Sequence, residues 1–330
     1  MKNTQVIQLM SIVRLSIFML GITMMSCNSK KEQQLPAIGK SVALFDYFSY
    51  KGNDDFYISD PLSGEDYFYN PILPGWYSDP SVCTNGEGDY FLVTSTFTYF
   101  PGVPIFHSKD LVNWKQIGHV LNRASQLVNM EGQKVSGGIF APAISYNPYN
   151  KTYYMVTTNV GAGNFFVKTQ DPFGEWSEPV MLPEVGGIDP SFFFDEDGKA
   201  YIVNNDEAPD NKPEYSGHRT IRIQEFDVKT DKTIGSRKIL VNKGAQPADK
   251  PIWIEGPHLY KINGKYFLMS AEGGTGNWHS EVIFRGDSPM GKFLPWKNNP
   301  ILTQRHLNSD RPNSVTCAGH ADLIQAKEGD

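Results

Sequence analysis

The sequence predicts an all-β protein, a five-bladed β-propeller whose fifth blade is incomplete in this chain. Three observations predict this fold. A hairpin-like pattern recurs along the chain, and a turn motif follows three of its copies. Long helical periodicity is missing after residue 79, while 30 Gly and 22 Pro suit short strands that are joined by tight turns.

The hairpin pattern is a polar start, an alternating apolar run, a Gly, Asn or Asp turn and a second β-rich run. Its five starts are Asp79, Ala141, Asp189, Glu255 and His320. By subtraction, the starts are 62, 48, 66 and 65 residues apart, a spacing typical of one propeller blade per unit. Four copies complete the hairpin. By analogy, roughly 40 more residues would complete the fifth blade, so we expect a fragment rather than a ring that closes in another way.

The second repeat combines Asp with Pro or Gly, followed by an aromatic residue. It occurs at 108–114, 169–176 and 286–293. Each copy lies where the third strand of a blade would turn into the fourth. Because the two repeats are in phase, we expect residues 67–330 to form one propeller domain.

Composition narrows the possible partners. The 330 residues are 40% hydrophobic and 13% aromatic, enough for a sizeable core. The formal net charge is −6, so there is no basic field to hold a nucleic acid. We therefore expect no nucleic-acid partner.

Residues 1–27 resemble a bacterial lipoprotein signal peptide. Positive charges at Lys2 and Arg14 accompany an apolar stretch at 15–25 that is too short to span a bilayer. Ser26 and Cys27 follow, which predicts an exported outer-membrane lipoprotein, periplasmic or at the cell surface, whose only membrane contact is a lipid on Cys27. An ordinary cleaved signal or a single-pass anchor are the alternatives. Residues 28–66 are predicted to be a linker and N-terminal extension.

Two cysteines remain, Cys83 and Cys317. They lie in the first and fifth units, which a closed ring would make neighbours, so a disulfide is conceivable. Two buried free thiols are the favoured expectation, and there is no Cys/His spacing for a zinc site.

Three of the five repeat starts are carboxylates: Asp79, Asp189 and Glu255. The innermost strands of a propeller line one shaft, so these groups can converge. Glycoside hydrolysis uses two carboxyl groups, about 6.5–9.5 Å apart for inversion and about 5–5.5 Å for retention. A third carboxylate, and the nearby Trp253, would raise the pKa of the acid. The alternative is ordinary Asp-Pro turn chemistry.

Several long motifs closely resemble glycoside hydrolase family 43, in the branch of β-xylosidases and α-L-arabinofuranosidases. They are NPILPGWYSDPS, SGGIFAP, GIDPSFFFDEDGKAYIVN, EGPHLYKINGKYFLMSAEGGT and GHADL, between residues 70 and 330. The resemblance implies a five-bladed propeller that hydrolyses with inversion. It implies Asp79 as general base, Glu255 as general acid and Asp189 as the carboxylate that tunes the pKa and orients the acid. The implied activity is release of terminal xylose or arabinose from plant-derived oligosaccharides, in carbohydrate metabolism and xylan degradation.

The resemblance also implies binding roles. Phe97 and Phe140 would wall the sugar subsite, with ordinary blade core as the alternative. His320 would lie near a calcium ion or water cluster, or be a hydrogen-bonded core histidine, and calcium prefers oxygen ligands. No cofactor is required for the reaction, and a structural calcium ion is the one candidate. His258, Glu272 and His279 would line the pocket mouth or form core hydrogen bonds.

The chain departs from the family pattern at Ser78, where relatives usually carry Pro, and at Phe140, where they carry Trp. An arginine that binds the terminal sugar in similar enzymes would lie beyond Asp330. We therefore expect the truncated chain to lack part of the subsite and to be inactive by itself. The alternative function is a catalytically silent, carbohydrate-binding propeller lipoprotein. An invertase-like enzyme fits these motifs poorly.

Overall fold

The computed structural model describes residues 67–312 and 314–326. They form four antiparallel sheets, in each of which four strands follow chain order. The first sheet contains β1 (Ser81–Thr84), β2 (Tyr90–Val93), β3 (Gly102–Ser108) and β4 (Lys115–Leu121). The second contains β5 (Ile139–Asn147), β6 (Thr152–Asn159), β7 (Gly163–Thr169) and β8 (Val180–Met181).

The third sheet contains β9 (Ile188–Phe194), β10 (Ala200–Glu207), β11 (Arg219–Asp227) and β12 (Lys232–Asn242). The fourth contains β13 (Glu255–Ile262), β14 (Lys265–Glu272), β15 (Ser280–Gly286) and β16 (Leu294–Pro295), and β17 (Leu302–Thr303) also pairs with β15. Short 3-10 helices occupy Ala124–Gln126, Pro209–Asn211 and Pro247–Asp249. No helix in the described ranges is long and apolar enough to cross a membrane.

The four sheets are blades arranged around a shaft. Their first strands pack side by side in the order β1, β5, β9 and β13, and a hydrophobic cluster fills each gap between neighbouring blades. Examples of these core residues are Ile105 and Met155, Phe166 and Phe192, and Val203 and Leu268. All eight residues of β6 are buried, because a blade between two others is covered on both faces.

The predicted all-β propeller is confirmed, with four blades in the described residues instead of five. Each predicted hairpin forms the first two strands of a blade. Residues 314–326, where the fifth hairpin would begin, contain no strand. A strand needs a paired neighbour, and the described part of the chain supplies none for this segment. The predicted signal peptide, its Cys27 and the 28–66 linker lie outside the described residues.

The predicted turns lie between the third and fourth strands of the first, second and fourth blades. In the first blade the Asp110 carboxylate accepts hydrogen bonds from the backbone N–H groups of Val112 and Asn113. This side chain therefore stands in for a backbone acceptor and fixes the turn.

The segment 319–323 connects the first and fourth blades. Its Asp322 carboxylate accepts hydrogen bonds from the Ser81 hydroxyl at 2.8 Å, the Val82 N–H at 3.0 Å and the Tyr260 hydroxyl at 2.6 Å. Ser81 and Val82 belong to β1, and Tyr260 belongs to β13. The GHADL motif thus holds His320 at the shaft between these two blades.

Both cysteines of the described region are free thiols. Cys83 is buried, as expected, whereas Cys317 is exposed and contradicts the expectation of two buried thiols. Cys317 lies outside the blade core, in the loop that precedes the GHADL motif.

Candidate active site

Each blade begins with the same backbone irregularity. In the third blade Ser191 pairs with Val203 and Ile188 with Asn205, so two residues of β9 face one residue of β10. This is a β-bulge. Equivalent bulges occur in the second and fourth blades, and in the first blade the Ser95 N–H bonds to the Ser78 carbonyl just before the strand pairing begins.

The first residue of every bulge has a left-handed backbone. The φ angles are 53° at Asp79, 38° at Ala141, 54° at Asp189 and 54° at Gly256, and His320 has 55°. Residues other than glycine pay for this conformation, so it persists only where the surrounding fold enforces it. The four bulge residues are therefore structurally equivalent, and His320 shares their backbone conformation.

These equivalent residues line one narrow cavity in the shaft. Its walls come from all four blades and the GHADL segment: Asp79, Pro80, Ser81, Ala141, Pro142, Ala143, Asp189, Pro190, Ser191, Gly256, His258 and His320. The structure thus brings Asp79 and Asp189 together, although 110 residues separate them in the sequence.

The predicted equivalence of Glu255 with the two aspartates is wrong by one residue. Gly256 occupies the left-handed position of the fourth blade, and Glu255 precedes it. By pairing register, Glu255 corresponds to Phe140 and Ile188 instead. The sequence does mark the correct register, because a proline follows the left-handed residue in each of the four blades: Pro80, Pro142, Pro190 and Pro257.

Gly256 makes room for His320. A Cβ atom on Gly256 would lie 2.5 Å from the Nε2 atom of His320, closer than any real Cβ contact. The Nδ1 atom of His320 lies 3.4 Å from the Oδ1 atom of Asp79. His320 thus lies between Gly256 of the fourth blade and the Asp79 carboxylate of the first blade.

The surroundings of His320 do not fit a calcium site. Calcium takes six to eight oxygen ligands, whereas this ring presents nitrogen and packs against glycine. Within residues 67–312 and 314–326, no group of three or more His, Cys, Asp or Glu side chains is arranged to hold a metal ion. The Nδ1 atom of His320 lies within ion-pair distance of the Asp79 carboxylate, and the alternative of a hydrogen-bonded core histidine stays a prediction.

Ser95 fixes the carboxylate of Asp79. Its hydroxyl donates to the Oδ2 atom of Asp79 at 2.5 Å and accepts the N–H of Ala141 at 2.7 Å. Because the amide occupies the acceptor side of the hydroxyl, its proton points to Asp79. Sequence reasoning missed Ser95, although a polar Thr-Ser-Thr run directly after an apolar strand was the available signal.

Asp189 is deeply buried, with 6% of its surface exposed. Its Oδ2 atom accepts the N–H of Gly256 at 3.1 Å. Burial raises the pKa of Asp189 to about 6, and the neighbouring Asp79 acts in the same direction while His320 opposes them. The carboxyl group is therefore near half-protonation in weakly acidic solution.

Glu255 is also buried, with 9% exposed. Burial, followed by the charges of Asp189 and Asp79, raises the pKa of Glu255 to about 8, and Arg219 counteracts this. At neutral pH the carboxyl group is mostly protonated, so it can donate a proton. The guanidinium of Arg219 lies 4.7 Å from the ring centroid of Trp253, which is 37% exposed.

The two predicted aromatic residues contact each other near the cavity. The ring centroids of Phe97 and Phe140 are 5.6 Å apart, and both side chains are partly exposed. Phe140 directly precedes Ala141 of the cavity wall. Trp76, 66% exposed and 6.0 Å from Phe97, joins this group. Trp76 was missed, although it lies in the quoted motif NPILPGWYSDPS.

Comparison with known proteins identifies the family. Residues 68–330 match the profile of Glycosyl hydrolases family 43. A xylosidase/arabinosidase of Butyrivibrio fibrisolvens is 47% identical over 263 residues, which are 79% of this chain and 49% of that protein. A non-reducing end alpha-L-arabinofuranosidase of Bacteroides ovatus is 41% identical, over 79% of this chain and 46% of its own.

Solved structures agree with these relatives. A GH43_12 protein retrieved from a capybara gut metagenome has a TM-score of 0.78 and 54% identity, over 83% of this chain and 50% of its own. A xylan beta-1,4-xylosidase of Bacillus halodurans has a TM-score of 0.70 and 36% identity. The matched part is 79% of this chain and 48% of that protein. The chain spans about half the length of these proteins. The family predicted from the sequence motifs is confirmed, and the chain belongs to glycosyl hydrolase family 43.

Proposed function

We propose that the complete protein is an inverting glycoside hydrolase that releases terminal xylose or arabinose from plant-derived oligosaccharides. One observation carries this proposal. Asp79 and Asp189 line a single cavity, and burial together with the charges of these two residues raises the pKa of Glu255 to about 8. Family membership and the relatives named as xylosidases and arabinosidases support the substrate class.

In the proposed mechanism Asp79 is the general base. It takes a proton from a water molecule, which attacks the anomeric carbon of the terminal sugar through an oxocarbenium-like transition state. Glu255 is the general acid and protonates the departing oxygen. Asp189 keeps that acid protonated through its negative charge, and Ser95 holds the base in a fixed orientation.

Phe97 and Phe140 would form the wall of the terminal-sugar subsite. Sugar rings present apolar C–H faces that pack well on aromatic side chains. The support for this role is the partial exposure of both rings and the position of Phe140 beside the cavity residue Ala141. Trp76 would extend the same wall outward.

We also propose a fifth blade and a lipid anchor in the complete protein. The support for the blade is the bridging position of the GHADL segment between β1 and β13. The support for the anchor at Cys27 is the signal-like sequence alone. Labelling of cells with a radioactive fatty acid, with a Cys27→Ser control, tests acylation. Membrane fractionation then tests the outer-membrane location.

The reaction is tested on the complete protein with 4-nitrophenyl β-D-xylopyranoside, 4-nitrophenyl α-L-arabinofuranoside and xylobiose. We expect turnover of at least one substrate, and proton NMR should show the inverted anomer first. Asp79→Ala and Glu255→Ala should each reduce turnover of xylobiose by more than about 10³-fold. Substantial residual activity in both variants would contradict the assignment.

The alternative is a propeller that binds glycans without cleaving them. A pure binding site gains little from three neighbouring acids, because their burial and repulsion cost stability. The same assay distinguishes the two functions, since the alternative predicts binding of xylobiose without release of xylose.

A further inference from the structure

We propose that Glu281 is a positioning residue, which holds the segment that carries His320 against the proposed base Asp79. The proposal rests on the hydrolase function given above. Glu281 lies in β15 of the fourth blade and is 1% exposed. No step of the proposed mechanism uses its carboxyl group, although the burial of such a group costs stability. A role in placing other groups accounts for this buried acid.

The carboxyl group of Glu281 reaches from the fourth blade to the GHADL segment. Its Oε2 atom accepts the N–H of Ala321 at 2.9 Å. Burial raises the pKa of Glu281 to about 8, and the backbone N–H groups of Ala321 and His320 oppose this rise. The acid is therefore mostly neutral at neutral pH. It acts on the segment as a hydrogen-bond acceptor rather than as a charge.

The strand register shows an equivalent link in other blades. The second-strand residues that face the start of each bulge are Thr158, Asn205 and Ala271 in the second, third and fourth blades. The Thr158 hydroxyl accepts the N–H of Asp189 at 3.1 Å. The Asn205 amide donates to the carbonyl of Ile254 at 2.5 Å. Both side chains thus fix the start of the next blade along the chain.

In the fourth blade this position is Ala271, whose methyl group cannot form such a bond. Glu281 is the direct cross-strand partner of Ala271, so its side chain leaves the sheet on the same face. The small alanine leaves room, and the longer acid reaches the segment that follows the blade. Glu281 therefore supplies in the fourth blade the link that Thr158 and Asn205 supply in the others.

The link matters for the base because the attached segment places His320. The Nδ1 atom of His320 lies 3.4 Å from the Oδ1 atom of Asp79. The other oxygen, Oδ2, accepts the Ser95 hydroxyl at 2.5 Å. The carboxylate thus has one neighbour from its own blade and one that Glu281 holds in place. Release of the backbone at 320–321 would free the Oδ1 side of the base.

The first test measures kcat and KM of the complete protein for 4-nitrophenyl β-D-xylopyranoside. Glu281→Ala should lower kcat about tenfold and change KM by less than about twofold, because a misplaced base slows the chemical step without removing the sugar-binding wall. Glu281→Gln should restore most of kcat, since its amide oxygen can accept the same N–H and it is neutral like the buried acid. A loss in KM alone, no loss in Glu281→Ala, or equal losses in the two variants would overturn the proposal.

Asn299 provides the matched control in the same blade. It is 9% exposed, and its side-chain amide forms two hydrogen bonds of 2.9 Å with the backbone of Ile283. Asn299→Ala thus removes a buried polar side chain without removing a bond to the GHADL segment, and its kcat should stay within about twofold of the unmodified protein. A loss as large as that of Glu281→Ala would show that any defect in this blade has the same effect, which would contradict the proposal.

The thermal unfolding midpoint checks that each variant is folded. If Glu281→Ala does not fold, Glu281→Asp takes its place in both tests. Its carboxyl group is one methylene too short to reach Ala321, so the same losses are expected.

The second test does not need turnover. Nitrogen-15 NMR of the complete protein with labelled histidine, with His320→Gln to assign the signal, reports on the ring of His320. Glu281→Ala should shift or broaden that signal, whereas Glu281→Gln and Asn299→Ala should leave it in place. If the unmodified protein hydrolyses no xyloside or arabinoside, the hydrolase function fails, and this measurement still decides whether Glu281 places His320. An unchanged His320 signal in Glu281→Ala would reject the link.

Discussion

The pKa values of buried carboxyl groups are shifted in opposite directions in two regions of this molecule. Asp195, in the third blade, is 3% exposed and accepts hydrogen bonds from the Tyr266 hydroxyl at 2.6 Å and the Lys261 ammonium at 3.0 Å. Burial alone would raise the pKa of Asp195, but these two donors bring it below its ordinary value. In the shaft, burial and the neighbouring acids raise the pKa values of Asp189 and Glu255.

The comparison separates structural acids from chemically useful ones. A buried charge with a cationic partner stabilises the ionised form and holds two elements together. Buried acids that face one another destabilise the ionised form, so one of them retains a proton. Such an arrangement costs stability, and the proton-donating role proposed for Glu255 would account for it.

Of the three changes that test this comparison, the largest effect is expected from the removal of the Asp189 charge. Asp189→Asn should lower kcat of the complete protein about 10²-fold at neutral pH. The charge of Asp189 helps to raise the pKa of Glu255, so the alkaline limb of the kcat/KM profile should also move to lower pH. The measurement is a pH-rate profile, and an unshifted limb would show that Asp189 does not tune the acid.

The matched change in the structural region should affect stability instead. Asp195→Asn removes a charged acceptor from Tyr266 and Lys261, and we expect a loss of about 1–3 kcal/mol in the free energy of unfolding. Its kcat/KM should stay within about twofold of the unmodified protein. Urea unfolding and the xyloside assay check both points. A catalytic loss as large as that of Asp189→Asn would remove the distinction between the regions.

The smallest effect is a gain in stability that depends on pH. Folded Glu255, with its pKa raised to about 8 from 4.5, keeps a proton that the unfolded chain releases, so its contribution to stability falls as pH rises from about 4.5 to about 8. The Glu255→Gln variant has no carboxyl group to ionise at this position, so its stability does not fall with pH in this way. At pH 8 this variant should be more stable than the unmodified protein, with a much smaller gain at pH 5. Equal gains at both pH values would argue against the raised pKa.

The sequence predicted the blades and most of the site for a physical reason. Each blade repeats one hairpin and one bulge, so Asp79-Pro80 and Asp189-Pro190 look alike because they occupy equivalent backbone positions. The position of Glu255 was misread by one residue because an acid was matched with an acid. The proline of the bulge, Pro190 in the third blade and Pro257 in the fourth, aligns Gly256 with Asp189 instead.

Other site features depend on contacts between distant segments. Ser95 bonds to Asp79 across a strand pair, Arg219 approaches Glu255 from the third blade, and Gly256 yields space to His320. No local pattern encodes these contacts. The incomplete fifth unit forms no strand in the described residues, where segment 314–326 bonds to side chains of other blades.

The central claim is that burial, together with the neighbouring acids of the shaft, keeps Glu255 protonated at neutral pH. Carbon-13 NMR of the protein with labelled glutamate carboxyl groups, with Glu255→Gln to assign the signal, measures this without any need for turnover. The account predicts that the Glu255 carboxyl group titrates near pH 8, as its raised pKa requires. Titration close to the ordinary value of 4.5 would contradict it.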